Sequence, residues 1–133
     1  MITLGGTGVE VISSRQHLAS PDVHTAEVVA ASTVQHKLVP IRGLLQELGI
    51  PQVEATPLYV DSQSTGLAAN DTGSVKRSVW TLRRVEVLRE GVGQREIEVI
   101  HIPEKHNVAD GFTKPVAHDV WLRHIDYITN QSA

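Results

Sequence analysis

Three carboxylates stand out by their places in the sequence pattern. Glu27 lies in the first turn of a long helical pattern, Asp61 ends a short apolar run, and Asp110 opens a turn after a second such run. The chain has no cysteine, so thiol catalysis and sulfur-ligated zinc are excluded. No Ser–His pair stands in a nucleophile context. Carboxylates at the ends of elements suit a hard cation, since Mg²⁺ takes few of them and completes its shell with water and phosphate oxygens. Asp61 is placed best for this, because open α/β sheets bind ligands at the carboxyl ends of their strands. Each acid can equally be an ordinary cap or flank of its element, and spacing alone favours that plainer reading.

The elements that must carry these acids follow from periodicity and turn chemistry. Ile2–Leu4 and Val9–Ser13 are β-prone runs around Gly5-Gly6-Thr7-Gly8, which predicts a hairpin. That glycine run is no phosphate cradle, because neither the Lys-Ser/Thr of a P-loop nor a helix follows it. From His24 the apolar positions Ala26, Val29, Ala30, Val34, Leu38, Ile41, Leu45 and Leu48 predict a long helix. Asp22 is its expected N-cap and Gly49 with Pro51 its stop. Pro40 lacks an N–H and crowds the preceding turn, so a kink or a break is expected there.

Leu58–Asp61 predicts a strand and Ser62–Asn70 a short helix capped by Ser62. Ser74–Arg89 predicts a second long helix closed by Gly91 and Gly93, with Val75, Val79 and Leu82 facing inward. Ile97–Ile102 alternates as a strand and Pro103 ends it. The polar loop Glu104–Asn107 and a turn at Val108–Phe112 lead into a last amphipathic helix, Ala117–Ile128. Its apolar side is Val120, Trp121, Ile125 and Ile128. The layout is α/β, in one domain spanning residues 1–133, with no repeat.

Taken in order, three segments resemble the ribonuclease H domain of copia-type retrotransposon polyproteins. They are Val23-His24-Thr25-Ala26-Glu27-Val28, Asp61-Ser62-Gln63-Ser64-Thr65 and Asn107-Val108-Ala109-Asp110-Gly111-Phe112-Thr113-Lys114-Pro115. That family carries S-T-E-A-E-Y, D-N-Q-S-A and A-D-x-L-T-K-P at comparable distances. Leu4-Gly5-Gly6 and Ile12-Ser13-Ser14-Arg15-Gln16 fall where its second and third strands lie. The likeness runs from about residue 2 to residue 116.

The resemblance implies a ribonuclease H-like fold, a mixed sheet flanked by helices. It implies two Mg²⁺ ions held by Glu27, Asp61 and Asp110, cleaving the RNA strand of an RNA–DNA hybrid. Two cations about 4 Å apart activate the attacking water and stabilise the leaving oxygen. His106 resembles in placement the mobile histidine of cellular ribonucleases H, although a solvated loop histidine is the plainer reading. The family's first strand, with its D-x-D-W acid, has no counterpart here, so the central strand of the sheet is expected to be missing from this chain. Asp22 cannot replace that acid, because it belongs to the loop entering the helix. The Lys-His-Ile-Asp stretch common in the family's second long helix is replaced near Val79-Trp80-Thr81-Leu82.

Two functions follow from that departure. One is a Mg²⁺-dependent ribonuclease H, if the first acid comes from elsewhere. The other is an inactive, domesticated copy serving as a structural or assembly subunit. In either case the gap is expected to be filled by a strand from another chain, by a swapped protomer, or by rearrangement of the hairpin onto Leu58–Asp61.

Six of the 12 basic residues fall between Lys76 and Arg95. Lys76 and Arg83, like Arg77 and Arg84, stand seven apart on one side of a helix, with Trp80 between them. Such a stripe can track phosphates while the indole stacks on a base; a solvated helix face with a core Trp is the equal alternative. A module binding nucleic acid through this stripe without cleavage is a third reading. The whole chain carries 15 acids against those 12 bases, a net charge of -3, which argues against strong non-specific nucleic-acid binding. With 41% hydrophobic and 20% charged residues, disordered and fibrous classes are excluded. No apolar run reaches the roughly 18 residues of a membrane span. Met1-Ile-Thr-Leu-Gly-Gly lacks the basic start of a signal peptide, so an intracellular protein is expected.

Overall fold

The computed structural model describes residues 1–13, 23–70, 79–112 and 115–129. The expected cap Asp22, the start of the second long helix with Lys76 and Arg77, and Thr113–Lys114 lie outside these residues. The chain divides into two compact units, Met1–Arg15 with Pro103–Ala133, and Gln16–Ile102.

The first unit begins with the hairpin of β1 (Ile2–Leu4) and β2 (Thr7–Glu10). Gly5 and Gly6 have φ of 58° and 82°. Left-handed angles at both positions make the two-residue turn that matches the twist of paired strands. The turn is therefore tighter than the expected four residues, and Thr7 and Gly8 pair with Leu4 and Thr3. Two 3₁₀ turns follow Pro103, at Glu104–His106 and Val108–Phe112, and the last helix in chain order, α4, spans His118–Ile128.

The second unit holds α1 (Val23–Glu47), β3 (Thr56–Val60), α2 (Gln63–Ala69), α3 (Val79–Gly93) and β4 (Ile97–His101). β3 and β4 run parallel, in register from Thr56 opposite Ile97 to Val60 opposite His101. Thr56 N donates to Glu96 O at 3.0 Å, and Ile102 N donates to Val60 O at 2.8 Å. Those two bonds fix the phase of the ladder: residues 56, 58 and 60 turn their backbone groups to β4, and residues 57 and 59 turn theirs away. Pro57 has no N–H to offer on that outer edge, the position in which a strand tolerates proline. Leu58 and Val60 are buried and Tyr59 is exposed.

The architecture is thus α/β, with two small sheets and four α-helices among the described residues. Among the described residues the strands pair as two separate two-stranded ladders, not as the expected single mixed sheet. The hairpin pairs with itself and β3 pairs with β4 alone, because no strand among the described residues takes the outer edge of β3.

The long helix α1 is continuous through Pro40, so the helix does not break there. Pro40 cannot donate to the turn before it, at a cost of about 3 kcal/mol. Anchors on both sides offset the loss. Val28, Ala31, Ser32, Gln35 and Leu38 are buried before it and Leu45 after it. Beyond it, Arg42 reaches the loop that follows the helix, donating to Gln52 O at 2.9 Å, Glu54 O at 3.0 Å and Thr56 Oγ1. The helix ends where expected. Gly49 has φ of 81°, Gly49 N donates to Gln46 O and Ile50 N to Leu45 O, the double bond of a glycine-terminated helix.

The buried stripes of both long helices differ in phase from the hydropathy pattern. On α1 the buried set includes Thr25, Ser32 and Gln35, whereas Ala30 and Leu48 are exposed. On α3 the buried residues are Thr81, Val85, Leu88 and Gly91, and Gly91 and Gly93 lie inside the helix. Val79, expected to face inward, is 68% exposed. At Gly91 the missing side chain leaves room for Gln35 of α1, so a small residue takes a buried place on α3.

Candidate functional site

Asp61 follows β3 directly and is half-buried. Its position is set by the turn into α2, where Ser62 is the N-cap and its Oγ accepts from Thr65 N at 3.3 Å. Ser62 Oγ and Ser64 Oγ stand 3.1 Å apart, and Thr65 is fully buried beneath them. Val60 pairs with His101, so the carboxyl end of the parallel pair carries Asp61 on one strand and the exposed imidazole of His101 on the other. α2 packs on this end, where a Cβ added at Gly66 would meet His101 Cβ at 4.0 Å, an ordinary contact.

Glu27 is the fifth residue of α1, just past the first turn expected for it, and half-buried between the buried Thr25 and Val28. Glu27 and Asp61 belong to the second unit.

Asp110 belongs to the first unit, in the 3₁₀ turn Val108–Phe112, where it is half-buried. Asn107 ties the turn together: its Nδ2 donates to Asp110 Oδ1 at 3.2 Å, its Oδ1 accepts from Ala109 N at 3.2 Å, and its carbonyl accepts from Asp110 N at 3.1 Å. α4 holds the turn from the other side. Phe112 meets Trp121 edge to face, with centroids 6.2 Å apart. A Cβ at Gly111 would lie 3.0 Å from Trp121 and 3.1 Å from His124 Nδ1, so a side chain there would push α4 from the Asp110 turn.

His124 is a residue that hydropathy reading passed over. It is 5% exposed, and its Nδ1 has no hydrogen-bond partner in the fold. The available signal was positional, since it falls three residues after Trp121 and four before Ile128, on the same stripe. His106 ends the first 3₁₀ turn and is exposed.

The carboxylates are oxygen donors of the type that a hard divalent cation takes. Within neither unit do three His, Asp or Glu side chains among the described residues gather as a ready-made metal cluster.

On α3 the structure brings two expected residues together. The Arg84 guanidinium lies 5.4 Å over the Trp80 ring, and its Nη1 reaches Ser32 Oγ at 3.5 Å. Trp80 is 36% exposed, so it is not a core residue. Arg83 is exposed. No helix among the described residues is long and apolar enough to cross a membrane.

Comparison with known proteins points to a retrotransposon polyprotein. The chain is 28% identical over 116 residues to the retrovirus-related Pol polyprotein from transposon TNT 1-94 of Nicotiana tabacum. The match takes in 87% of this chain and spans 9% of the polyprotein's length. No protein-family model and no solved structure matches the chain.

Proposed function

We propose that this chain is a retroelement-derived ribonuclease H-like domain that acts on the RNA strand of RNA–DNA hybrids. The observation that carries the reading is Asp61, which stands at the carboxyl end of a half-buried parallel strand, inside a segment similar to a retrotransposon Pol polyprotein. In this reading Glu27, Asp61 and Asp110 are the residues that would hold two Mg²⁺ ions, which would supply charge stabilisation and an activated water at the scissile phosphate. The chain's own part is positional. Ser62 and Thr65 fix the backbone that aims Asp61, and Asn107 with the α4 contacts fixes that of Asp110. His106, exposed in the loop before Asp110, is placed to exchange a proton with solvent near the product. Arg83 and Trp80 supply phosphate and stacking contacts to the hybrid, with Arg84 bracing the indole.

A second reading has its own observation. The outer edge of β3 pairs with no strand among the described residues, which suits a non-catalytic subunit completed by a strand of a partner chain or a swapped protomer.

Cleavage of an end-labelled RNA–DNA hybrid in Mg²⁺, by the wild type and Asp61→Asn, tests the first reading. Cleavage lost in Asp61→Asn with folding intact supports it, because a neutral amide forfeits most of the metal's charge stabilisation. Cleavage undiminished by the substitution overturns the site. No cleavage by the wild type leaves the subunit reading.

A further inference from the structure

Among the described residues of the first unit, His124 on α4 is the polar side chain that the fold buries, with 5% exposure. Its Nδ1 is enclosed and makes no hydrogen bond, a condition rare enough in folded proteins to need a cause. A Cβ built at Gly111 would stand 3.1 Å from this same Nδ1 atom. The nitrogen therefore faces the residue that follows Asp110. Asp110 and Gly111 both belong to the 3₁₀ turn Val108–Phe112, and the last carbonyls of such a turn have no partner within it. Asn107 holds the start of the turn, where its Nδ2 donates to Asp110 Oδ1 at 3.2 Å.

We propose that His124 positions the Asp110 carboxylate: its Nδ1–H donates to the carbonyl end of the Asp110 turn when that carboxylate takes a divalent cation. The inference rests on the role proposed above for Asp110 as a ligand. An imidazole with its proton on Nδ1 offers one donor at this place, and Gly111 has no side chain to keep ring and backbone apart. The turn is then held at both ends, by Asn107 at its start and by His124 at its close. The carboxylate between them keeps one orientation. Groups that orient a ligand in this way change cation affinity by about 10–100-fold. His124 touches neither cation nor substrate in this arrangement, so it is a positioning residue.

The test is a Mn²⁺ titration of the ¹⁵N-labelled chain, read as paramagnetic broadening of the Gly111 amide. The wild type should broaden saturably there, and Asp110→Asn should abolish the effect. His124→Phe keeps a ring in the buried place but removes the nitrogen, and it should weaken Mn²⁺ at least about tenfold. His124→Asn, whose side-chain amide stands where Nδ1 stood, should recover most of that loss. A role in packing alone gives the opposite order, because asparagine fills less of the buried space than phenylalanine. Should His124→Phe unfold, the wild type carries the test by itself: Mg²⁺ should shift the His124 Nδ1–H signal and slow its exchange with water. Equal Mn²⁺ affinity in a folded His124→Phe, or His124 ring signals that Mg²⁺ leaves unmoved, would overturn the proposal while Asp110 stays a ligand. No broadening at Gly111 in the wild type would overturn Asp110 as a ligand, and the role of His124 with it.

Discussion

Gly91 on α3 lies directly against the Gln35 amide on α1. A Cβ at position 91 would stand 2.8 Å from Gln35 Cδ and 3.2 Å from Ile97 Cγ1. Real Cβ atoms do not tolerate the first distance, so a side chain at position 91 would force the buried Gln35 amide to move and would press on Ile97.

This reverses the usual sign of a helix substitution. Alanine in place of an exposed helical glycine adds up to about 1 kcal/mol of stability. Gly91→Ala should instead destabilise by about 1–3 kcal/mol, the range for overpacking. Adding Gln35→Ala should recover part of the loss, because contacting residues couple. Urea unfolding of the two single variants and the double variant measures it. A Gly91→Ala variant more stable than the wild type would contradict the seam.

Tyr59 should behave differently from its neighbours in hydrogen exchange. Leu58 and Val60 turn their amides toward β4, and Tyr59 turns its amide to the outer edge of β3. At low concentration the Tyr59 amide should exchange fast while Leu58 and Val60 are protected. If a strand adds to this edge, Tyr59 gains protection as concentration rises and light scattering reports a larger particle. A monomer at every concentration, with Tyr59 unprotected, would refute strand addition.

Arg83 and Arg84 should separate by readout. Arg83 is exposed and Arg84 lies over Trp80. Arg83→Ala should lower the log–log salt slope of hybrid binding by about one, the signature of one phosphate contact. Arg84→Ala should lower unfolding stability by about 0.5–1 kcal/mol through the lost cation–π contact. An unchanged slope in Arg83→Ala would leave the stripe as solvated surface.

The sequence carried its local chemistry well. Ser62 and Asn70 bracket α2, Gly49 stops α1, and the alternation of Ile97–His101 gives β4 its buried Ile97 and Val99. Each of these is decided within a few residues. What escaped reading is decided across elements. Pro40 stays helical because Arg42 and Leu45 are anchored elsewhere. The buried stripes of α1 and α3 follow Gln35 against Gly91, which hydropathy scores as polar against nothing. The acids of the candidate site were legible by type and by element. The support of Asp110 by Gly111, Trp121 and His124 was not, because a histidine joins an apolar stripe only when a neighbour takes it in.

The proposed function requires that Asp61 ligate a divalent cation. Mn²⁺ in place of Mg²⁺ reports this directly, because it broadens NMR signals of nearby amides. At substoichiometric Mn²⁺, the amides of Ser62 and Gln63 should broaden, and Asp61→Asn should abolish the effect. Broadening unaltered by Asp61→Asn, or none at either amide, would contradict a metal site at Asp61.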